Sequence, residues 1–116
     1  MGRASGRAVM NGQVTEKEFQ QTVVDFARLR GWRTYHTHDS RRSDAGFPDL
    51  VMVRGDRLVF AELKTEKGRL SAAQEQWREA LAAMGEQVGD PDVWPPQVGA
   101  FVWRPSNWPV IEAVLA

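Results

Sequence analysis

The chain has 116 residues, with 15 Lys+Arg against 15 Asp+Glu, 42% hydrophobic residues and no cysteine. One ordinary domain fits that length, with no room for separate cofactor and substrate domains. The lack of any thiol excludes disulfide frameworks, cysteine nucleophiles and thiolate zinc sites, so any metal must sit on oxygen or imidazole. No apolar run approaches the roughly 18 residues of a membrane span, and the first 14 residues lack the apolar stretch of a signal peptide, so a cytoplasmic protein with no membrane partner is expected.

The zero net charge hides an uneven distribution. Residues 1 to 69 hold 13 bases and 9 acids, and residues 70 to 116 hold 2 and 6, so +4 and −4 cancel. A basic local surface able to meet phosphates is compatible with that total, because the field that matters is that of the contacting face.

Residues 1 to 13 are small and polar without periodicity and read as a disordered tail, leaving 14 to 116 as a single domain. Thr15-Glu16-Lys17-Glu18 has the form of a capping box, and Phe19, Val23, Phe26 and Ala27 recur at helical spacing up to Gly31, a natural stop. Trp32 to His38 alternates as a strand does, and Asp39 to Phe47 is a polar loop. Asp49 to Val53 and Leu58 to Leu63 are strand-like runs around Arg54-Gly55-Asp56-Arg57, where Gly at the first central position suits a two-residue type II′ hairpin. Gly68-Arg69-Leu70 makes a turn, and Ser71 to Gln74 is a second capping box. It opens a helix to Met84, stopped by Gly85, with Gln74, Trp77, Leu81 and Met84 on one buried face. A loop over 86 to 99, a strand over 100 to 104 and a short helix over 107 to 115 complete the order α-β-β-β-α-β-α.

The hairpin turn fixes a register by arithmetic. Arg54 pairs with Arg57, Val53 with Leu58, Val51 with Phe60, and so Asp49 falls opposite Glu62. Opposed Cβ atoms lie about 4.5 to 5.5 Å apart, where like charges destabilise unless something lies between them, and a divalent cation would resolve the conflict. Lys64 follows Glu62 by two residues and shares its face. Both faces of the hairpin are otherwise apolar, as in central strands covered by helices.

The string Pro48-Asp49, twelve intervening residues, then Glu62-Leu63-Lys64 resembles the PD-(D/E)XK nuclease superfamily. A helical Glu-x-x-Phe-Gln pattern in the region of Glu18 to Gln21, Gly-x-Pro-Asp-Leu at 46 to 50, Glu-x-Lys, and Gly-Arg-Leu-Ser-x-x-Gln with a following Trp look like the VRR-NUC (virus-type replication-repair nuclease) family over residues 15 to 104. The resemblance implies a restriction-endonuclease-like α/β core, a mixed sheet flanked by helices, and metal-dependent hydrolysis of DNA phosphodiesters. Asp49, Glu62 and the backbone carbonyl of Leu63 are then ligands for Mg²⁺ or Mn²⁺, which suit hard oxygen donors. Lys64 is placed to orient the attacking water and stabilise developing charge. Glu18 joins the same site as a further metal or water ligand, and Gln74 positions Lys64 or the nucleophile.

Plainer roles compete for these residues. Glu62 with Lys64 could be a surface ion pair, Asp49 a turn residue after Pro48, and Glu18 and Gln74 no more than the closing members of their capping boxes. Arg41, Arg42, Arg54, Arg57, Lys67 and Arg69 lie in loops and turns around the hairpin, as DNA-phosphate contacts or as solvated charge. His36 and His38 have no third ligand at a recognisable spacing and read as polar strand residues, and the five scattered Trp read as core and interface packing.

A domain this small has little surface for reading sequence, which favours selection by DNA shape over a sequence-specific restriction enzyme. Stand-alone members of the family resemble junction resolvases. Symmetric cutting of a four-way junction needs two active sites and hence a C₂ homodimer, for which the 86 to 99 loop is a candidate interface. The expected partners are therefore branched DNA and a second copy, with no nucleotide or organic cofactor. A catalytically silent branched-DNA-binding module of a phage or repair assembly is the alternative.

Overall fold

The computed structural model describes residues 14–37 and 44–116. Helix α1 spans Glu16–Leu29, strand β1 Arg33–His36, β2 Leu50–Arg54, β3 Arg57–Leu63, helix α2 Ala72–Gly85, β4 Val98–Trp103, a 3-10 turn Pro105–Asn107 and helix α3 Trp108–Leu115. The strands form one mixed sheet in the order β1-β2-β3-β4, antiparallel except for the parallel pair β3 and β4. The architecture is thus the expected α/β one, a mixed sheet flanked by helices, compatible with a restriction-endonuclease-like fold. The expected tail 1–13, together with His38, Arg41 and Arg42, lies outside the described residues.

Local sequence rules account for most boundaries. Thr15 Oγ1 accepts from the Glu18 N–H (3.1 Å) while Glu18 Oε1 accepts from the Thr15 N–H (2.9 Å), closing the first capping box. Ser71 and Gln74 repeat that arrangement at α2. The β2-β3 register is the one that the turn dictates, Arg54 to Arg57 through Leu50 to Ala61. Gly55 alone takes positive φ (60°) at that turn, as type II′ requires.

Strand alternation sorts the side chains. Leu50, Met52, Val59, Ala61 and Leu63 are completely buried against Phe19, Val23 and Ala27 of α1 and Ile111, Val114 and Leu115 of α3. The opposite face is covered only in part. Phe47 meets Phe60 and Trp77 edge-on at 6.2 and 5.0 Å, whereas Val53 is 42% exposed. The expectation that helices bury both faces is corrected accordingly, because α2 alone lies over this side. Met84 likewise is exposed and not part of a buried stripe. Gly85 does not stop α2 as expected but is its last residue. A Cβ there would collide with the Val98 carbonyl, so the glycine serves close approach of the helix to β4.

Candidate active site

The end of the sheet where β2 begins and β3 finishes gathers the ionisable groups. The antiparallel ladder stops at Leu50 and Ala61, one step short of Asp49 and Glu62. In place of the next ladder bond, Asp49 Oδ2 accepts from the Leu63 N–H at 2.8 Å. That bond fixes the Asp49 carboxylate against β3 and leaves it facing Glu62, as the register arithmetic requires. Gly46 makes this entry possible: its φ is +86°, and a Cβ would run into the Ala73 backbone at the start of α2.

Glu62 is the one charged side chain buried among the described residues, at 4% exposure. Its Oε2 accepts from Gln74 Nε2 (2.9 Å) and lies 3.8 Å from Lys64 Nζ. Its Oε1 is buried and receives no hydrogen bond from any N–H or O–H. Burial first, then the charge of Asp49 and contact with its carboxyl, push the Glu62 carboxyl up to about 8, with Lys64 pulling the other way. An ionised Glu62 here is a buried charge with one oxygen unserved, a state that a cation can relieve and that neutral packing cannot.

Gln74 closes its capping box, and its amide reaches Glu62 and not Lys64, the partner expected from the resemblance. Its Oε1 accepts from the Ser71 N–H (2.8 Å) as the cap demands, which turns its NH₂ toward Glu62. The capping box therefore sets the orientation of a site residue.

The α1 contribution is corrected. Glu18 is fully exposed, its carboxyl is held below the usual range by the Thr15 backbone and hydroxyl, and it is turned to the cap and not toward Asp49, Glu62 and Lys64. Glu16 is the α1 acid that feels the site. Its carboxyl is raised by loss of hydration and then by the charge of Asp49, and lowered by Lys64, and it in turn raises Glu62. The signal was available in the string Glu-x-x-Phe-Gln, which as spelled begins at Glu16 and continues to Phe19 and Gln20.

Two of the expected DNA contacts are placed elsewhere. Arg54 donates to the carbonyls of Arg30 (2.9 Å) and Ala116 (2.8 Å), and Arg57 to that of Val114 (2.7 Å). Both guanidinium groups lie over the Trp32 ring, at 4.7 and 5.0 Å. They cap the C-terminal carbonyls of α1 and α3 at the hairpin end of the sheet, about 17 Å from Glu62 by strand rise. Lys67 and Arg69 are exposed in the segment that follows Lys64. His36 is a half-buried residue of β1, and Trp32, Trp103 and Trp108 are core residues, as read from the sequence. Among the described residues no three His, Asp or Glu side chains form a ready metal cluster.

A buried glutamate, a half-buried aspartate and a lysine thus meet at one end of the mixed α/β sheet. Residues 6–90 match the VRR-NUC domain, and the chain belongs to the VRR-NUC family. Its function is accordingly of nuclease type, with DNA as substrate. No curated protein and no solved structure matches the chain.

Proposed function

We propose that the chain is a Mg²⁺- or Mn²⁺-dependent, structure-selective DNA endonuclease that cuts branched DNA, such as four-way junctions, as a homodimer. The observation that carries this reading is Glu62, buried beside Asp49, its Oε1 without a hydrogen-bond donor and its Oε2 3.8 Å from the Lys64 amine. Asp49 and Glu62, with the backbone carbonyl of Leu63, are the donors for a divalent ion, and Glu16 supplies the further acid. Mg²⁺ is ordinarily held by one or two carboxylates plus water and phosphate oxygens, so this sparse set suits it better than an all-protein cage would. When bound, the ion polarises the phosphorus centre and acidifies the attacking water.

The residues divide the remaining work. Glu62 is held in one orientation by Gln74, itself locked by the α2 cap. Asp49 is held by the end of β3. Lys64 places a compact positive charge where the pentavalent phosphate gains negative charge. Lys67 and Arg69 extend that positive surface toward the flanking phosphates. The second copy supplies the second active site that paired cuts require.

Labelled four-way junction, splayed arm and linear duplex, each in Mg²⁺, Mn²⁺ or EDTA beside a Lys64→Ala control, test the reading. Paired symmetric cuts on the junction, absent in EDTA and strongly slowed but measurable in the variant, are expected. Tight junction binding without cutting in any metal would instead identify a silent binding module.

A further inference from the structure

The segment that follows Lys64 is held from the end of β4 and the turn just past it. The Lys64 N–H donates to the Trp103 carbonyl (2.9 Å), and the chain then turns, with the Gly68 N–H donating to the Thr65 carbonyl at 3.2 Å. Arg104, immediately past β4, sends Nη1 into that turn, donating to the carbonyls of Thr65 (2.6 Å) and Gly68 (2.7 Å), with that of Glu66 at 3.4 Å. Inward-pointing carbonyls of a tight, partly buried turn need such a donor to stay closed. The root of Arg104 is itself fixed, its N–H donating to Asn107 Oδ1 and its carbonyl accepting from the Asn107 N–H, both at 2.8 Å. A second tie runs alongside, from Ser106 N–H (2.5 Å) and Oγ (2.9 Å) to the Glu66 carboxylate.

This turn walls the stem of Lys64. A Cβ at Gly68 would lie 3.4 Å from Lys64 Cδ and 3.2 Å from Thr65 Oγ1, so the glycine borders the lysine stem with room for little more than a methyl group. A lysine amine on a flexible stem finds a fixed place only where something restrains the stem. We propose that Arg104 is a positioning residue for Lys64, acting through the Thr65 to Gly68 turn. The inference rests on the reading of Lys64 as the cation at the scissile phosphate.

Two measurements test it. With three lysines in the sequence, at 17, 64 and 67, reductive ¹³C-methylation gives a countable NMR spectrum, and Lys64→Ala assigns the Lys64 signal. In Arg104→Gln that signal should move and sharpen toward a freely rotating lysine while that of Lys17 stays put. In single-turnover cleavage of the labelled DNA panel, Arg104→Gln should lower the rate about tenfold to a hundredfold, the scale of a misplacement near 1 Å, at unchanged half-saturating concentration. In the Lys64→Ala background it should cost less than about twofold more.

An unmoved Lys64 signal overturns the proposal. So does an equal loss of rate in both backgrounds, or a rise in half-saturating concentration alone, which would mean that Arg104 holds DNA itself. Arg104→Met, which keeps an aliphatic stem but removes the donor to the Thr65 and Gly68 carbonyls, must move the same signal and stands in if Arg104→Gln does not fold. A wild-type protein that cuts none of these DNAs, or a Lys64→Ala variant that cuts at full rate, sinks the nuclease reading instead and leaves the NMR arm decisive for Arg104.

Discussion

An acid forced to ionise inside the protein makes stability depend on pH in a direction opposite to that of ordinary salt-bridged carboxylates. The Glu62 carboxyl is raised from 4.5 to about 8, so between those values the folded protein holds a proton that the unfolded chain gives up. By linkage, that contribution is fully present below the unfolded value and is lost as pH rises through the folded one. Thermal unfolding of the metal-free protein should therefore give a lower midpoint at about pH 9 than at about pH 6, and Glu62→Gln should flatten the difference. Added Mn²⁺ should restore the midpoint at the higher pH in wild type and not in Glu62→Gln, because only the ionised site gains from the cation. The two neighbouring glutamates of α1 separate just as cleanly. Glu18→Ala should lower the denaturation midpoint slightly by removing half of a capping box, with little change in turnover. Glu16→Gln should do the reverse, lowering the cleavage rate at a nearly unchanged denaturation midpoint, since Glu16 makes no part of the cap.

Among the elements, those governed by local rules were legible in the sequence. Both capping boxes and the Gly55 hairpin follow from spacings of two to four residues, and counting out from that hairpin brings Asp49 to the end of β3 beside Glu62. Positions decided by distant partners were not legible. Choosing Glu16 over Glu18 requires knowing how α1 approaches β2 and β3, and the capping pattern alone points to Glu18. Arg54 and Arg57 look free in a hairpin until α1 and α3 bring their terminal carbonyls to them, the latter from about sixty residues away. The stripe on α2 misled because periodicity marks a face without showing how much of it a single helix on one side of a sheet will bury. The loop before Asp49 joins local and distant rules, since a glycine there serves both its own φ and the α2 backbone. Gly46→Ala should thus lose more than the roughly 1 kcal/mol of an ordinary glycine substitution, and cleavage should fall with it as Asp49 is displaced. Denaturant melts read beside cleavage rates check this. A fully stable, fully active Gly46→Ala would show that the loop can enter β2 by another path.

At the scale of the molecule, the question is whether one copy acts alone. Val93 and Trp94 are 58% and 59% exposed in the loop after α2, and Met84 at the end of that helix is 60% exposed. Val93 also lines a groove of about 340 Å³ with Ala82, Val88, Val98 and Phe101. Large apolar side chains clustered in this way mark association surfaces more often than free ones. The acids of this segment, Glu86, Asp90 and Asp92, argue against DNA on the same face, which leaves the basic first half of the chain for phosphates. If two copies meet here, replacing Trp94 with Asp should shift the mass in sedimentation equilibrium from dimer to monomer without lowering the unfolding midpoint, since Trp94 lies outside the core. The variant should still nick branched DNA, because Asp49, Glu62 and Lys64 are untouched, but the paired cuts should uncouple into single nicks on separate molecules. Paired cutting by a monomeric variant would place the second active site somewhere other than across this loop, and a variant that stays dimeric would move the interface to another face.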